Sequence, residues 1–214
     1  TLIGENGAGK STLMKILSGA YRADEGTIEL DGEPFVPRGP LHARDSGIAM
    51  IYQELNLVPD LTVEENIMLG EEPRRWGVIQ IQKLRARARA ALDQLEHAEV
   101  GLSTPVYQLG IAEQQLVEIA RALIRQPRVL IMDEPTSSLT QVDVERLFLV
   151  IERLKAQGVS VIYISHFLEE CQRVCDRYTV LRDGASVGSG ELASASLDQI
   201  IRLMVGREMK AIYP

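Results

Sequence analysis

The glycine-rich segment Gly4–Ser11 constrains the fold of this chain more than any other feature of its sequence. It reads Gly-Glu-Asn-Gly-Ala-Gly-Lys-Ser and fits the phosphate-binding pattern G-x-x-x-x-G-K-[ST]. The apolar residues before it are typical of the end of a buried strand, and a helix is predicted from Lys10 to Ser18. In this strand–loop–helix order, the segment predicts a site for a triphosphate.

The same segment indicates how a triphosphate would be held. Glycines allow main-chain N–H groups to turn inward around an anion, and the positive end of the following helix points at it. Lys10 would supply a charge to the β and γ phosphates, and the Ser11 hydroxyl would bind Mg²⁺. The predicted cofactor-binding residues are Gly4, Glu5, Asn6, Gly7, Ala8, Gly9, Lys10, Ser11 and Thr12.

Two acidic residues follow an apolar run. Val129–Met132 is predicted to be a buried strand, and Asp133 and Glu134 come directly after it. Alone, such a pair could be ordinary solvated charges at a strand end. Beside a phosphate-binding loop, Asp133 is predicted to hold Mg²⁺ through water, and Glu134 to polarise an attacking water.

Two further polar residues follow predicted strands. Gln53 comes after the strand Ile48–Tyr52, where its amide could reach Mg²⁺ or the water, and His166 comes after Val159–Ile164. Taken singly, a histidine at such a position is usually structural. Because four strands are each followed by polar groups of this kind, we expect one site at one sheet edge. The predicted catalytic residues are Glu134, His166 and Gln53, and the predicted metal ligands are Ser11, Gln53 and Asp133.

The remaining pattern alternates apolar strands with amphipathic helices, which indicates an α/β fold with a sheet buried on both faces. A loop is predicted around Pro34–Pro40, and Gly158 is predicted to end a helix. The other predicted strands are Thr27–Leu30, Tyr178–Leu181 and Ala185–Val187, and the other predicted helices are Val63–Leu69, Ile81–Glu96, Ala112–Arg125, Val142–Gln157, Phe167–Val174 and Leu197–Val205.

Composition narrows the classes of partner. The chain has 30 acidic and 23 basic residues, a net charge of −7, which argues against nucleic acid as the main partner. Arginines crowd the helix Ile81–Glu96, and this basic face is either simply solvated or contacts a partner near a membrane. Cys171 and Cys175 are expected to be ordinary thiols.

These residues, in this order, resemble the nucleotide-binding domain of ABC transporters. The matching positions are Gly4–Ser11 (Walker A), Gln53 (Q-loop), Leu109–Gln115 (signature), Asp133 and Glu134 (Walker B and catalytic Glu), Ser138–Thr140 (D-loop) and His166 (switch His). The resemblance implies ATP and Mg²⁺ as ligands and a P-loop NTPase fold with a mostly parallel sheet, a small helical subdomain and N-terminal strands missing from this sequence. It divides the chain into a first core part (1–70), a helical subdomain with the signature (71–126) and a second core part (127–214).

Four further segments resemble the first half of sugar-importer ATPases. They are Tyr52–Leu57, Gln114–Ala120, Tyr163–His166 and Met204–Arg207. This resemblance implies ATP hydrolysis that powers monosaccharide import, with a second nucleotide-binding domain in the same chain. It further implies transmembrane permease subunits, a periplasmic sugar-binding protein as an indirect partner and a peripheral location on the cytoplasmic face of the bacterial inner membrane. The alternatives are a soluble ABC-type ATPase that acts on ribosomes or DNA, and a nucleotide-binding module without hydrolysis.

The signature segment departs from the family pattern L-S-G-G-Q. Gly110 replaces the serine, Ile111 and Ala112 replace the glycines, and Glu113 replaces the glutamine. In the family, this segment faces the γ-phosphate that the other domain holds in a head-to-tail dimer. The D-loop position also ends in Thr140, where the family usually has Asp. We therefore expect two unequal composite sites, the weaker of which uses this degenerate signature.

Overall fold

The computed structural model describes residues 1–95 and 99–206. Glu96, the last residue of one predicted helix, lies outside these ranges, as do Arg207 and the end of the predicted second core part. The strands are β1 (Leu2–Ile3), β2 (Glu29–Leu30), β3 (Glu33–Pro34), β4 (Ile48–Ile51), β5 (Arg74–Arg75), β6 (Val78–Ile79), β7 (Val129–Asp133), β8 (Ser160–Ile164), β9 (Arg177–Arg182) and β10 (Ala185–Glu191). The α-helices are α1 (Lys10–Leu17), α2 (Pro40–Asp45), α3 (Val63–Met68), α4 (Ile81–Gln94), α5 (Ile111–Leu123), α6 (Gln141–Ala156), α7 (Leu168–Val174) and α8 (Leu197–Val205).

A six-stranded sheet in the order β10-β9-β1-β8-β7-β4 forms the centre of the molecule. All its pairs are parallel except β9–β10. The register sets Leu2 and Asp133 opposite Ile164, and Ile51 opposite Met132. The carboxyl ends of β1, β8, β7 and β4 therefore reach the same edge, which confirms the predicted mostly parallel α/β fold.

Both faces of this sheet are buried at its central strands, as the apolar runs predict. Along β7, Leu130 and Met132 belong to one apolar cluster with helices α3 to α8, whereas Ile131 belongs to a second cluster with Met14 of α1. Along β1, Leu2 and Ile3 divide in the same way. Since successive strand residues point to opposite faces, a strand covered on both sides must be apolar throughout.

Helix ends follow the local sequence. Thr62 and Glu65 form a capping box at α3, in which the Thr62 N–H donates to Glu65 Oε2 over 2.8 Å. The Thr140 hydroxyl accepts from the Asp143 N–H at the start of α6. As predicted, Gly158 follows the C-terminal end of α6 with a φ of +87°.

Three features differ from the sequence prediction. Helix α2 begins at Pro40, inside the predicted loop, because proline fits the first helical position, where no N–H is needed. Strand β10 continues past Val187 to Glu191 through a bulge, since Gly188 and Gly190 pack closely on Leu203 and Tyr178 and do not end the strand. A small β5–β6 hairpin turns at Trp76 and Gly77, both with positive φ, and its bulky first turn residue gives little turn signal.

Helices α3, α4 and α5 pack on one another through apolar faces, α4 with Leu84, Ala88, Ala91 and Leu92. Two arginines of the basic face of α4 stabilise this packing through hydrogen bonds to neighbouring segments. Arg85 Nε donates to both carboxylate oxygens of Glu64 in α3 at 3.0 Å, and Arg87 donates to the Glu71 carbonyl at 3.3 Å. Within residues 1–95 and 99–206, no helix has the length and apolar character needed to cross a membrane.

Candidate active site

The loop between β1 and α1 is folded into a cup. Gly7 and Gly9 have φ of +85° and +100°, a left-handed conformation that glycine adopts without strain. The Ala8 N–H donates to the Glu5 carbonyl at 3.1 Å, and the Leu13 N–H donates to the Gly9 carbonyl at 3.0 Å, which starts α1 directly at the loop. Left-handed residues that alternate with right-handed ones along a loop gather main-chain N–H groups into an anion-binding concavity.

The cup rests against the β9–β10 hairpin. The Gly184 N–H of the hairpin turn donates to the Ala8 carbonyl at 3.1 Å. A Cβ added at Gly4 would lie 2.4 Å from the Leu181 carbonyl oxygen of β9, which is shorter than any van der Waals contact. Glycine is therefore needed at position 4 for close backbone packing, which explains one fixed position of the motif.

Lys10 lies across the loop. Its side chain is 8% exposed, and its Nζ donates to the Gly4 carbonyl at 2.7 Å and to the Glu5 carbonyl at 3.1 Å. These bonds hold the ammonium group within the loop and leave one of its three donors unassigned. An anion that enters the cup would meet a positive charge already in place.

A cleft of about 220 Å³ opens above the loop. It is lined by Asn6, Gly7, Ala8, Gly9, Lys10, Ser11, Thr12, Gln53, Asp133 and Glu134. Three predicted site residues do not line it. They are His166 and the pair Gly4 and Glu5, whose carbonyls accept bonds from Lys10. The signature segment 109–115 does not line the cleft either.

The two acids at the end of β7 differ in environment. Burial raises the pKa of Asp133, and the neighbouring Glu134 charge raises it further, with partial opposition from Lys10 and Lys15. Glu134 has a φ of +47°, which is unfavourable for a side chain with a Cβ. Its N–H donates to the Ile164 carbonyl of β8 at 2.9 Å, a bond that holds this turn in place.

His166 reaches the site through Glu134. Its Nδ1 lies 3.2 Å from Glu134 Oε1, and its ring packs on Phe167 with the ring centres 4.1 Å apart. The Glu134 side chain is 16% exposed and that of His166 49%, so the pair sits at the rim. The structure thus brings the residues after β1, β4, β7 and β8 to one sheet edge.

The oxygen donors in the cleft suit Mg²⁺. Ser11, Gln53 and Asp133 carry oxygen ligands and line the same space, and Mg²⁺ prefers oxygen ligands with few from protein carboxylates. In the described part of the chain, no group of three or more His, Cys, Asp or Glu residues could enclose a metal. The donor set therefore fits an ion that is shared with a phosphate ligand.

Sequence reasoning missed two residues near the site. Lys15 in the last turn of α1 lowers the pKa of Asp133, but its position is typical of a lysine that simply favours a helix C-terminus. Glu170 on α7 accepts hydrogen bonds from the hydroxyl groups of Thr136 and Ser165. Thr136 lies two residues after Glu134, and Ser165 directly precedes His166. The only sequence signal of Glu170 is its place four residues after His166, which alone indicates nothing.

The chain matches the family model described as ABC transporter over residues 1–137. Relatives include the ribose import ATP-binding proteins RbsA of Chromobacterium violaceum, 51% identical over 100% of this chain, and of Rhodopirellula baltica, 52% identical over 99%. The chain spans only 42% of the length of each of these two relatives.

Solved structures agree in fold. The ADP conformation of an ATP-binding cassette of an ABC transporter has a TM-score of 0.79 and 25% identity, covering 96% of this chain and 87% of that one. A dimeric ATP-binding cassette in a post-hydrolysis state, bound to ADP and Pi, has a TM-score of 0.74 and 27% identity over 89% of this chain and 84% of that one.

The close contact at Gly4 predicts a loss of stability in Gly4→Ala. The added methyl group must displace the Leu181 carbonyl or the loop, at a cost of about 1–3 kcal/mol. Thermal unfolding should therefore begin at a lower temperature, by about 2–4 °C per kcal/mol. Gly110→Ala is the control, because its φ of −65° and nearest neighbour at 3.7 Å accept a methyl group. Equal melting temperatures for the two variants would contradict this packing.

Proposed function

Because this chain belongs to the ABC transporter family, we propose that it binds and hydrolyses ATP to power monosaccharide import, as the first of two nucleotide-binding domains in one longer chain. The observation that carries the proposal is the convergence of Lys10, Asp133 and Glu134 on one cleft. The sugar class is supported by the relatives, which are named ribose import ATP-binding proteins. That these relatives are more than twice as long supports a second domain.

In the proposed reaction, the loop amides and Lys10 bind the β and γ phosphates, and the ammonium group exchanges its loop carbonyls for phosphate oxygens. Ser11, Gln53 and Asp133 would hold Mg²⁺, whose charge neutralises the phosphate oxygens. Glu134 accepts a proton from the water that attacks the γ-phosphorus, and the bond to the ADP oxygen breaks. His166 holds the Glu134 carboxylate in place through the 3.2 Å contact.

The division into core parts 1–70 and 127–214 with a helical subdomain 71–126 is also a proposal. It is supported by the packing of α4 and α5 on each other. Helix α3 packs on both of them, and the Val63 and Glu64 N–H groups donate to the carbonyls of Thr104 and Leu102. We therefore place the start of the helical subdomain nearer to Thr62 than to residue 71.

The start of α5 supports the proposal that the two composite nucleotide sites are unequal. Glu113 Oε2 accepts the Gly110 N–H at 2.9 Å, so a carboxylate of this chain occupies the positive end of the helix. A segment capped by its own anion, and lacking the serine hydroxyl, is poorly suited to bind the γ-phosphate of a second nucleotide. We propose that the site served by 109–115 turns over slowly, if at all, and that the site of Lys10 and Glu134 drives transport.

A groove of about 230 Å³ beside the Gln53 loop is the proposed docking site for a permease segment. Glu118 in its wall is 7% exposed; one oxygen accepts the Asn56 N–H at 3.1 Å, and the other is buried without a partner. Arg44 Nε, also in the wall, is likewise buried without a partner. The groove combines charged side chains, such as Arg121 and Arg125, with apolar ones, such as Ile67 and Leu69, and this mixture suits an amphipathic segment of a partner.

The β5–β6 hairpin offers a second contact. Trp76 is 91% exposed at its tip and Val78 68%, beside Arg74 and Arg75. Tryptophan and arginine are the side chains most often found at the centres of protein interfaces. We propose that this hairpin also faces the permease, with the chain peripheral on the cytoplasmic face of the bacterial inner membrane and a periplasmic sugar-binding protein as an indirect partner.

The basic face of α4 does not favour the ribosome- or DNA-directed alternative. Arg85, Arg87 and Arg89 donate to Glu64, to the Glu71 carbonyl and to the Val100 carbonyl within the subdomain. Guanidinium groups held in this way are poorly placed to neutralise successive phosphates of a nucleic acid. With the net charge of −7, this supports a protein partner and no nucleic acid.

Lys10→Ala should weaken ATP binding by about 10–100-fold and abolish measurable hydrolysis, because one charge contact to the transferred phosphate is lost. Isothermal titration calorimetry on the full-length protein measures the affinity. Lys83→Ala is the control, since Lys83 is exposed on α4, away from the cleft. Unchanged affinity in Lys10→Ala would count against the proposed nucleotide site.

Glu134→Gln should lower ATP turnover of the full-length protein by about 100-fold or more, because the amide cannot accept the proton of water. Gly110→Ser, which restores the hydroxyl of the signature, should change turnover less than about threefold, since Glu113 still caps the helix. Phosphate release measures both variants. Strong turnover in Glu134→Gln would defeat the assignment of the competent site.

Glu118→Gln should stabilise the free protein, because it replaces a buried carboxylate with a neutral amide. Burial raises the pKa of Glu118, only partly opposed by the Asn56 N–H and the Arg121 charge. The ionised carboxylate destabilises the folded protein. This destabilisation is absent below the ordinary pKa of a glutamate and develops fully as the pH rises through the raised pKa. The gain in melting temperature should therefore be larger at pH 8 than at pH 5. An equal or reversed difference in calorimetry would contradict the unpaired buried carboxylate.

A further inference from the structure

One carboxylate oxygen on α7 accepts three hydroxyl groups. Glu170 Oε2 lies 2.9 Å from Thr136 Oγ1, 2.8 Å from the Tyr163 hydroxyl and 3.1 Å from Ser165 Oγ. The three donors are nearly inaccessible, with 6%, 0% and 1% of their surface exposed. We call these four residues the Glu170 hub.

The hub joins the two chain segments that carry the proposed catalytic pair. Thr136 lies two residues after Glu134, and Ser165 directly precedes His166. Ser165 Oγ also accepts the Phe167 N–H at 3.0 Å, so this hydroxyl fixes the backbone on both sides of His166. Any movement of Glu170 would therefore be transmitted to both members of the pair.

The sheet itself does not provide this connection. The β7–β8 ladder ends with Asp133 opposite Ile164, and the last main-chain bond between the strands runs from the Glu134 N–H to the Ile164 carbonyl. Beyond that point, the segments after β7 and β8 are no longer paired as strands. The hub bonds begin where the strand pairing ends.

From this geometry we infer that Glu170 is a positioning residue for ATP hydrolysis, which sets the distance between Glu134 and His166 without contacting the nucleotide. The inference rests on the proposed function, because it assigns Glu170 to the reaction of that same cleft. None of the four hub residues lines the cleft. A change in the hub should therefore affect the chemical step more than ATP binding.

The chemistry of the hub requires a carboxylate. An ionised carboxylate only accepts, and its charge strengthens each bond from a hydroxyl donor. Burial, and the bond to Glu170, raise the pKa of Tyr163, so its hydroxyl remains a donor. A glutamine at 170 would offer a weaker neutral acceptor and an NH₂ group, and an alanine would leave the buried hydroxyl donors without this acceptor.

The test uses the full-length protein and the variants Glu170→Gln and Tyr163→Phe. Steady-state and single-turnover phosphate release should show kcat lower by about 10–100-fold in Glu170→Gln, as expected for a misplaced catalytic group. The KM for ATP should stay within about twofold of the wild-type value. Tyr163→Phe, which removes one of the three donors, should give a smaller loss of kcat, again without a change in KM.

Glu169→Gln is the matched control, because Glu169 is the exposed neighbouring acid and should keep the wild-type kcat. Assays run well below the melting temperature of each variant, with binding of a fluorescent ATP analogue to count folded protein. Wild-type kcat in both Glu170→Gln and Tyr163→Phe, or losses confined to KM, would overturn the positioning role alone. A wild-type protein that binds no ATP or does not hydrolyse it would overturn the proposed function and this inference together.

Discussion

Parallel pairing of four neighbouring strands is the constraint on which the rest of the site depends. Because β1, β8, β7 and β4 run in the same direction and in near register, each delivers its following residues to one sheet edge. The phosphate-binding loop, His166, the two acids and Gln53 are distant in sequence and meet only for this reason. The apolar clusters on both faces of the sheet hold that register, since a slip by one residue would turn buried side chains to the opposite face.

The site combines opposite charges that the sheet edge holds close together. Lys10 is bonded to carbonyls of its own loop, while the raised pKa of Asp133 reflects burial beside a second carboxylate. Each group is thus placed before a ligand arrives, and the left-handed backbone at Glu134 adds local strain that the bond to Ile164 compensates. Preorganisation of this kind favours a ligand that carries both negative charge and a cation.

The sequence predicted the sheet and the cleft because both rest on local patterns. Glycine spacing, apolar runs of strand length and polar residues after each run were sufficient to bring Lys10, Gln53, Asp133 and Glu134 together. Features that depend on tertiary contacts were not predictable in this way. Glu118 and Glu170 have ordinary helical positions in the sequence, and only packing shows that one has an unpaired oxygen and the other binds three hydroxyls. The loop prediction at Pro40 was wrong because proline is common both in loops and in the first turn of a helix.

The bond from Gly184 to the Ala8 carbonyl has a mechanical consequence for the cleft. It anchors one wall, the glycine loop, to the β9–β10 hairpin, and the missing Cβ of Gly4 lets that wall lie directly on β9. The opposite wall, at Gln53, follows the outermost strand of the sheet and adjoins the groove of Glu118. A partner bound in the proposed docking groove would therefore lie next to the Gln53 wall of the cleft, whereas the glycine loop on the other side is tied to the hairpin.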